Sequence, residues 1–316
     1  MIGVDADTVQ SLLTELTTQY WDDTRVRREP VRAWRMSAVE RLHHGAGGIS
    51  ETVIFKVAEA PLHGEAWLLK YAAEHGVPTP RLLAVAERPR FAGMLLEDLG
   101  PAFREPTLAD AAAAAVASHA VPGPSLNVPL LNAAGLADLP QQAMTSLSEL
   151  VSSGRWDTNV LDVQDGLRVL LASAADLAYG AELPPFGLCH SEFHPTSLHI
   201  DADGQWRLLD WARAFTGPGL LDLISWQGTT TVPDTAKFRA LLDAYVVAGG
   251  PPEVLADRGG LPVERWSILW HRIWIIDWYL FQALHGLNDP DTDAISQLVI
   301  RRHLTEALEC LDTPSA

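Results

Sequence analysis

Four residues able to do chemistry stand in one polar stretch of the chain. His190, Glu192, Ser197 and Asp210 follow one another at intervals of two, five and thirteen residues. The first three lie within Leu188-Cys189-His190-Ser191-Glu192-Phe193-His194-Pro195-Thr196-Ser197-Leu198-His199-Ile200. The fourth closes Trp206-Arg207-Leu208-Leu209 and precedes Trp211. Apolar runs bracket polar ones, so the stretch reads as strand, loop, strand, turn, strand, with an acid on the loop that follows. An acid on the first loop can orient an attacking hydroxyl. A carboxylate at a strand end is a hard oxygen ligand suited to magnesium, and magnesium holds nucleotide phosphates. Together these residues point to transfer of a phosphoryl group to an alcohol.

Upstream residues complete that chemistry. Lys56 sits near the end of the apolar run Glu51–Val57, and Glu65 lies nine residues on in a predicted helix. A lysine can neutralise nucleotide phosphate oxygens, and a glutamate can fix its ammonium as an ion pair. On its own the pair would be an ordinary surface contact; the downstream site favours the functional reading. Gly45, Gly47 and Gly48 punctuate a predicted turn. Such glycines let backbone amides approach phosphates, although most glycine turns are simply turns. His190 is read as a brace for its loop, and His194 has no assigned role. The two histidines flank Glu192 four residues apart, as in a zinc helix, but Pro195 follows at once and the segment does not read as helical.

These side chains need elements to position them. Thr8–Tyr20 carries Val9, Leu12, Leu13 and Leu16 at helical spacing. Val39–Leu42, Glu51–Val57, Arg81–Ala86 and Gly93–Glu97 read as strands, and Gly64–His75 as a helix stopped by Gly76, Pro78 and Pro80. After Leu99-Gly100 the composition turns rich in Ala and Leu. Helices are expected at Gln141–Ser152 and Asp165–Tyr179, with breaks at Val121-Pro122-Gly123-Pro124 and at Leu139-Pro140. Further helices follow the polar stretch. One of them repeats Trp266, Trp270, Trp274 and Trp278 at i, i+4, a pattern that suits core packing or the aromatic wall of a pocket. The expectation is an α+β fold with a strand-rich lobe over residues 1–100 and a helical lobe over 101–316.

Composition narrows the partners. The chain has 316 residues, 47% hydrophobic and 20% charged, which describes a folded protein with a large core. Its net charge of -17 argues against nucleic acid, which needs basic surface, and would attract a cationic small molecule. Cys189 and Cys310 lack metal-ligand spacing. The N-terminus has no signal-peptide pattern, and the most apolar segment, Trp266–Leu284, contains Arg272 and Asp277. No membrane association is expected, and a cytoplasmic location follows.

The ordered motifs resemble the aminoglycoside phosphotransferase family, whose site segment has the form H-x-D-x-H-P-x-N followed by I-D-W. Here it runs His190-Ser191-Glu192-Phe193-His194-Pro195-Thr196-Ser197, then Leu209-Asp210-Trp211. The resemblance extends over Phe55-Lys56-Val57, Gly64-Glu65-Ala66, Gly76-Val77-Pro78-Thr79-Pro80 and Leu96-Glu97-Asp98-Leu99-Gly100, from about residue 40 to 230. Glu192 and Ser197 replace the family's Asp and Asn. The resemblance implies a two-lobed protein-kinase-like fold that binds ATP or GTP in the cleft, with Mg2+. It implies that backbone groups near Glu97 and Leu99 meet the base, that Asp222 braces the catalytic loop, and that Asp210 and Ser197 hold the metal. By the same resemblance the acceptor, a small molecule, lies between the catalytic loop and the C-terminal helices, near Trp270, His271, Trp274 and Asp277. Two rival readings share the motifs: a pseudokinase with little transfer, prompted by Glu192 and Ser197, and a kinase acting on Ser or Thr of a peptide.

Overall fold

The computed structural model describes residues 6–22, 25–45, 51–124 and 128–311. The chain forms two compact units, each considered in turn. The first takes residues 1–107 together with 195–214, and the second takes 108–194 and 215–316. The sequence boundary at residue 100 misses the second segment of the first unit, because a local change of composition cannot register a chain that returns.

The first unit is built on a five-stranded antiparallel sheet. Its strands are β1 (Arg27–Ala33), β2 (Ser37–His44), β3 (Glu51–Glu59), β4 (Leu82–Glu87) and β5 (Phe91–Glu97), in the order β1-β2-β3-β5-β4. Helix α1 (Ala6–Trp21) lays Val9, Leu12, Leu13 and Leu16 on one face of the sheet, against Leu42, Val53, Phe55, Val57 and Leu95. Gly93 marks the closest approach: a Cβ there would sit 3.1 Å from Leu16 Cδ1 and 3.3 Å from Leu12 Cβ. Side chains alternate across a strand. Val53, Phe55 and Val57 therefore face α1, while Ile54 and Lys56 face the other way. In register, Lys56 stands between Val39 of β2 and Met94 of β5. Helix α2 (Glu65–Glu74) and a short hairpin, Leu198–Ile200 with Trp206–Leu208, complete the unit.

β1 is absent from the sequence expectation. Its residues, Arg-Arg-Glu-Pro-Val-Arg-Ala, are mostly exposed and show no apolar alternation. It is an edge strand, paired only to β2 through an irregularity between Pro30 and Arg32. Edge strands tolerate proline and charge because one side of their ladder faces solvent.

The second unit is mainly helical: α3 (Leu108–His119), α4 (Ala133–Ser152), α5 (Leu161–Leu177), α6 (Leu220–Ser225), α7 (Thr235–Val247), α8 (Val263–Leu284) and α9 (Asp293–Glu309). Strands Phe186–Cys189 and Phe215–Pro218 pair antiparallel among them. The expected break at Leu139-Pro140 is corrected: α4 starts at Ala133 and runs through Pro140. Asn132 caps it, its side chain accepting from Gly135 N at 2.9 Å. Proline removes one helical hydrogen bond, but Leu136, Leu139, Ala143, Leu147 and Leu150 are all buried on one side of this helix. That burial outweighs the cost of an interior proline, about 3 kcal/mol from the missing bond and the ring's clash with the preceding turn. α5 begins at Leu161, four residues before the expected Asp165.

One buried cluster on α8 and α9 has a pH consequence. Arg272 Nε meets Glu306 Oε2 at 2.5 Å, and His303 Nδ1 lies 3.4 Å from the same oxygen. Burial, then repulsion from Arg272 and Arg302, pushes the His303 imidazole down to about 3. The folded state therefore keeps His303 neutral, whereas the unfolded chain protonates it below about 6.5. The stability it contributes is complete above about pH 6.5 and falls with pH, by up to about 1.4 kcal/mol per pH unit. Urea unfolding between pH 6.5 and 5, before most carboxylates titrate, is expected to show this slope, and His303→Gln should flatten it. An unchanged slope in the variant would mean that the histidine does not control it.

Candidate active site

Lys56 is the centre of the first unit's charged pocket. Its ammonium lies 2.6 Å from Glu65 Oε2 and 2.6 Å from Asp210 Oδ1. Lys56 and Glu65 are both buried, while the Asp210 side chain is about one-third exposed. Burial works against the ammonium, but Glu65 and then Asp210 outweigh it and hold its pKa above the ordinary lysine value. Lys56 is therefore charged. Burial pushes the Glu65 carboxyl upward, opposed by Lys56. Exposed Arg32 approaches the other Asp210 oxygen at 3.6 Å, a solvent-screened contact of small weight.

Local backbone explains Asp210's position. It follows the hairpin strand Trp206–Leu208 and adopts a left-handed conformation, φ 65°. Aspartate tolerates this region better than most residues. Leu209 N donates to Ser197 O at 2.8 Å, which ties the two ends of the hairpin together. Asp210 and buried Ser197 thus line one pocket of about 310 Å³, together with Lys56, Glu65, Glu97, Asp98, Leu99 and His199. That volume lies at the lower end for small-molecule sites. Arg41 Nε pairs with Asp98 Oδ2 at 2.6 Å, and Arg81 N donates to Glu97 Oε2 at 3.2 Å. The arginine pair holds the Asp98 carboxyl below its usual value against the cost of its burial.

The sequence reading places Lys56, Glu65, Asp210, Ser197, Glu97 and Leu99 at one site, and the structure brings all six to this pocket. Gly45 follows β2 with φ 118° and is not among the pocket's lining residues. Gly47 and Gly48 lie outside the described residues. Three features escape the sequence reading: the direct Lys56–Asp210 contact across 154 positions, the Arg41–Asp98 pair, and His199 in the pocket wall. A lone histidine between Leu198 and Ile200 was the only available signal for the last of these.

The second unit carries the acidic loop. His190 N donates to Asp222 Oδ2 at 2.5 Å and Ser191 N to Asp222 Oδ1 at 2.7 Å. Asp222 is fully buried at the start of α6, where a carboxylate can serve two amides at once. Beyond Glu192, Phe193 is buried between His190 and Trp226, and its carbonyl accepts from Ser225 Oγ at 2.9 Å. Glu192 is half-buried and stands between these two anchors. Ser191 takes a left-handed conformation, φ 74°, unusual for serine and a form of strain found at functional sites. Trp274 Nε1 donates to Ser191 Oγ at 3.2 Å and so joins α8 to the loop. His194 is half-buried, and burial lowers its pKa.

The tryptophan stripe divides. Trp266 and Trp270 are fully buried, and both indole N–H groups point to Leu177 O, at 2.7 and 3.3 Å. Trp270 is therefore a core residue, which corrects its reading as a substrate contact: it has no surface to offer. His271 is buried as well. Trp274, Asp277 and Trp278 remain half-buried, with Trp278 stacked on Phe281 at 5.7 Å.

A two-unit fold with a five-stranded antiparallel sheet, a lysine–glutamate pair and a two-anchor acidic loop defines the class. The chain belongs to the phosphotransferase enzyme family, whose sequence profile matches residues 37–260. Its fold is α+β and kinase-like. Choline kinase LicA from Streptococcus pneumoniae aligns at a TM-score of 0.63 and 11% identity, over 96% of this chain and 99% of that one. Spectinomycin phosphotransferase APH(9)-Ia, solved with ADP and spectinomycin, aligns at 0.61 and 10%, over 98% and 99%. An ADP-bound aminoglycoside phosphotransferase aligns at 0.59 and 15%, over 97% and 99%. No curated protein sequence matches the chain. Among the described residues, no helix is long and apolar enough to cross a membrane.

Proposed function

We propose that the protein transfers the terminal phosphoryl group of ATP or GTP to a hydroxyl of a small molecule. The observation that carries this reading is the buried Lys56 ammonium held at 2.6 Å by both Glu65 and Asp210. A charged lysine with two carboxylates in a pocket can exchange one partner for phosphate oxygens while the other keeps it in place. Lys56 and Glu65 would position the phosphates. The nucleotides bound to two of the structural relatives support the same use of the pocket.

The pocket's oxygen donors fit magnesium. Magnesium takes one or two carboxylates and fills its remaining positions with phosphate oxygens and water. Asp210 would hold it through its carboxylate and Ser197 through its hydroxyl, directly or by way of water. The chemistry supplied by the bound ion is neutralisation of charge on the phosphates.

Glu192 would accept or orient the acceptor's proton, with His190 contributing backbone geometry to the loop. Little basicity is needed when the transition state is loose, so the longer side chain can serve if its oxygen is placed correctly. The half-buried face of Trp274, Asp277 and Trp278, beside Ser191, favours a cationic or flat acceptor, as does the net charge of -17. Glu192 and Ser197 also motivate a second reading, a nucleotide-binding protein with little transfer.

The deciding experiment is phosphate transfer from ATP and GTP with magnesium to a panel of hydroxyl acceptors, amino alcohols and aminoglycosides included. Glu192→Gln is expected to lower transfer about 100-fold. Glu192→Asp is expected to retain or raise it. Nucleotide binding without transfer to any acceptor would establish the second reading, and full activity in Glu192→Gln would remove the base assignment.

A further inference from the structure

The irregularity in β1 aims an arginine at the pocket. Pro30 stands opposite Glu40 and Arg32 opposite Val39, so two steps along β1 match one step along β2. Val31 is the extra residue of a β-bulge. Regular alternation would put Arg28, Pro30 and Arg32 on one face. Arg28 stands opposite Leu42 on the α1 face, and its guanidinium reaches Gln10 of α1 at 3.2 Å. Without the bulge Arg32 would share that face. With it, Arg32 joins Val39 and Lys56 in one row across three strands and lines the pocket. Bulges beside active sites re-aim side chains in this way.

The head groups of Lys56 and Arg32 converge on the two oxygens of Asp210, at 2.6 and 3.6 Å. Their commitments differ. Lys56 is buried and also holds Glu65, and Arg41, another cation of the wall, is paired with Asp98 at 2.6 Å. The Arg32 side chain is 72% exposed, and its contact with Asp210 is an ion pair longer than a hydrogen bond. It can leave Asp210 at small cost and donate to a ligand in the pocket. Its place on the sheet says which part of a nucleotide it meets. Glu97, beside the base in the nucleotide reading, is level with Val53, about 10 Å along β3 from Lys56. Arg32 is level with Lys56 and stands two strands beyond it, on the side away from β5. The phosphate farthest from the base is the one nearest Arg32.

We propose that Arg32 binds the terminal phosphate of the nucleotide through its guanidinium. The inference rests on the nucleotide reading of this pocket and adds to it a residue that separates a triphosphate from a diphosphate. The planar fork of N–H donors suits phosphate oxygens, and Arg32 exchanges one anion, Asp210, for another of greater charge.

The test measures dissociation constants by calorimetry for ATP, ADP, GTP and GDP, all with magnesium. Wild type, Arg32→Gln, Arg32→Lys and Arg27→Gln are compared. Arg27 is exposed on the same strand and does not line the pocket, so its variant removes a charge without removing the contact. Wild type is expected to bind a triphosphate more tightly than its diphosphate. In Arg32→Gln that preference should fall about tenfold, the effect of one charge-assisted hydrogen bond, with diphosphate affinity unchanged. Arg32→Lys keeps the charge but not the fork and should recover part of the preference. Arg27→Gln should keep all of it. The unliganded melting temperature of Arg32→Gln should match that of wild type, because an exposed ion pair contributes little. A preference that is unchanged in Arg32→Gln overturns the proposal. So does an equal loss of triphosphate and diphosphate affinity, which would mark a residue that supports the pocket as a whole. A matching loss of preference in Arg27→Gln overturns it too, since the effect would then belong to the general field of the strand. Wild type that binds triphosphate and diphosphate alike overturns it and leaves the nucleotide reading standing. Wild type that binds none of the four removes the nucleotide reading, and this inference with it.

Discussion

Asp210→Asn is expected to lower magnesium-dependent nucleotide turnover by at least about 1000-fold while leaving the protein folded. Asparagine is the appropriate replacement because residue 210 has φ 65°. Asparagine accepts a left-handed backbone nearly as well as aspartate, whereas alanine would add strain of about 1–2 kcal/mol to any chemical effect. The change removes one of the two carboxylates on Lys56 and leaves Glu65 in place at 2.6 Å, so the ammonium remains paired. Stability should therefore change little. Nucleotide affinity should split by condition. Without metal, the loss of a carboxylate relieves its repulsion with the phosphates, so affinity should hold or rise. With magnesium, the added affinity seen in wild type should disappear. Calorimetric titration of ATP with and without magnesium, beside a turnover assay, measures both arms. Turnover equal to wild type in a folded Asp210→Asn protein would take the metal role away from this residue.

Much of the first unit is legible in sequence because its signals are periodic. The alternation at Val53, Phe55 and Val57 is a period of two, and α1 repeats Val9, Leu12, Leu13 and Leu16 at helical spacing. β1 has no such signal, since an edge strand with both faces largely exposed has no apolar side to display. The break at Pro140 errs for a different reason: a local rule about proline is outweighed by packing that involves the whole of α4. The site is legible where motif order carries it. Lys56, Glu65, Ser197 and Asp210 are found by type and spacing, and Asp222 proves to hold the amides of His190 and Ser191. Contacts between distant positions are not legible, and Lys56 with Asp210 is the clearest case. The tryptophan stripe shows a subtler limit. Trp270 and Trp274 are one helical turn apart and chemically identical, yet Trp270 is sealed in the core beside Leu177 while Trp274 reaches Ser191. Periodicity identifies the face of a helix but not the point along it where the core ends.

Lys56→Met is expected to destabilise the protein by about 3–5 kcal/mol and to abolish nucleotide turnover. Methionine keeps most of the buried stem, so the loss is electrostatic. Glu65 is 1% exposed and would be left as a buried carboxylate with no cation. Burial already pushes its pKa up, and removal of Lys56 takes away the main opposing influence. The carboxyl should then fold protonated, with a pKa raised above its unfolded value. A group shifted that way favours folding at low pH and loses that contribution as pH rises through the folded pKa. The deficit of Lys56→Met relative to wild type should therefore be larger at pH 8 than at pH 5. Urea titrations at both values measure it. The double variant Lys56→Met/Glu65→Gln separates the two jobs of the pair. Glutamine carries no charge to bury, so much of the stability should return, whereas turnover should stay at the floor because no ammonium meets the phosphates. A double variant as unstable as Lys56→Met would show that the two residues are not energetically coupled. Turnover restored along with stability would show that Lys56 serves the fold alone.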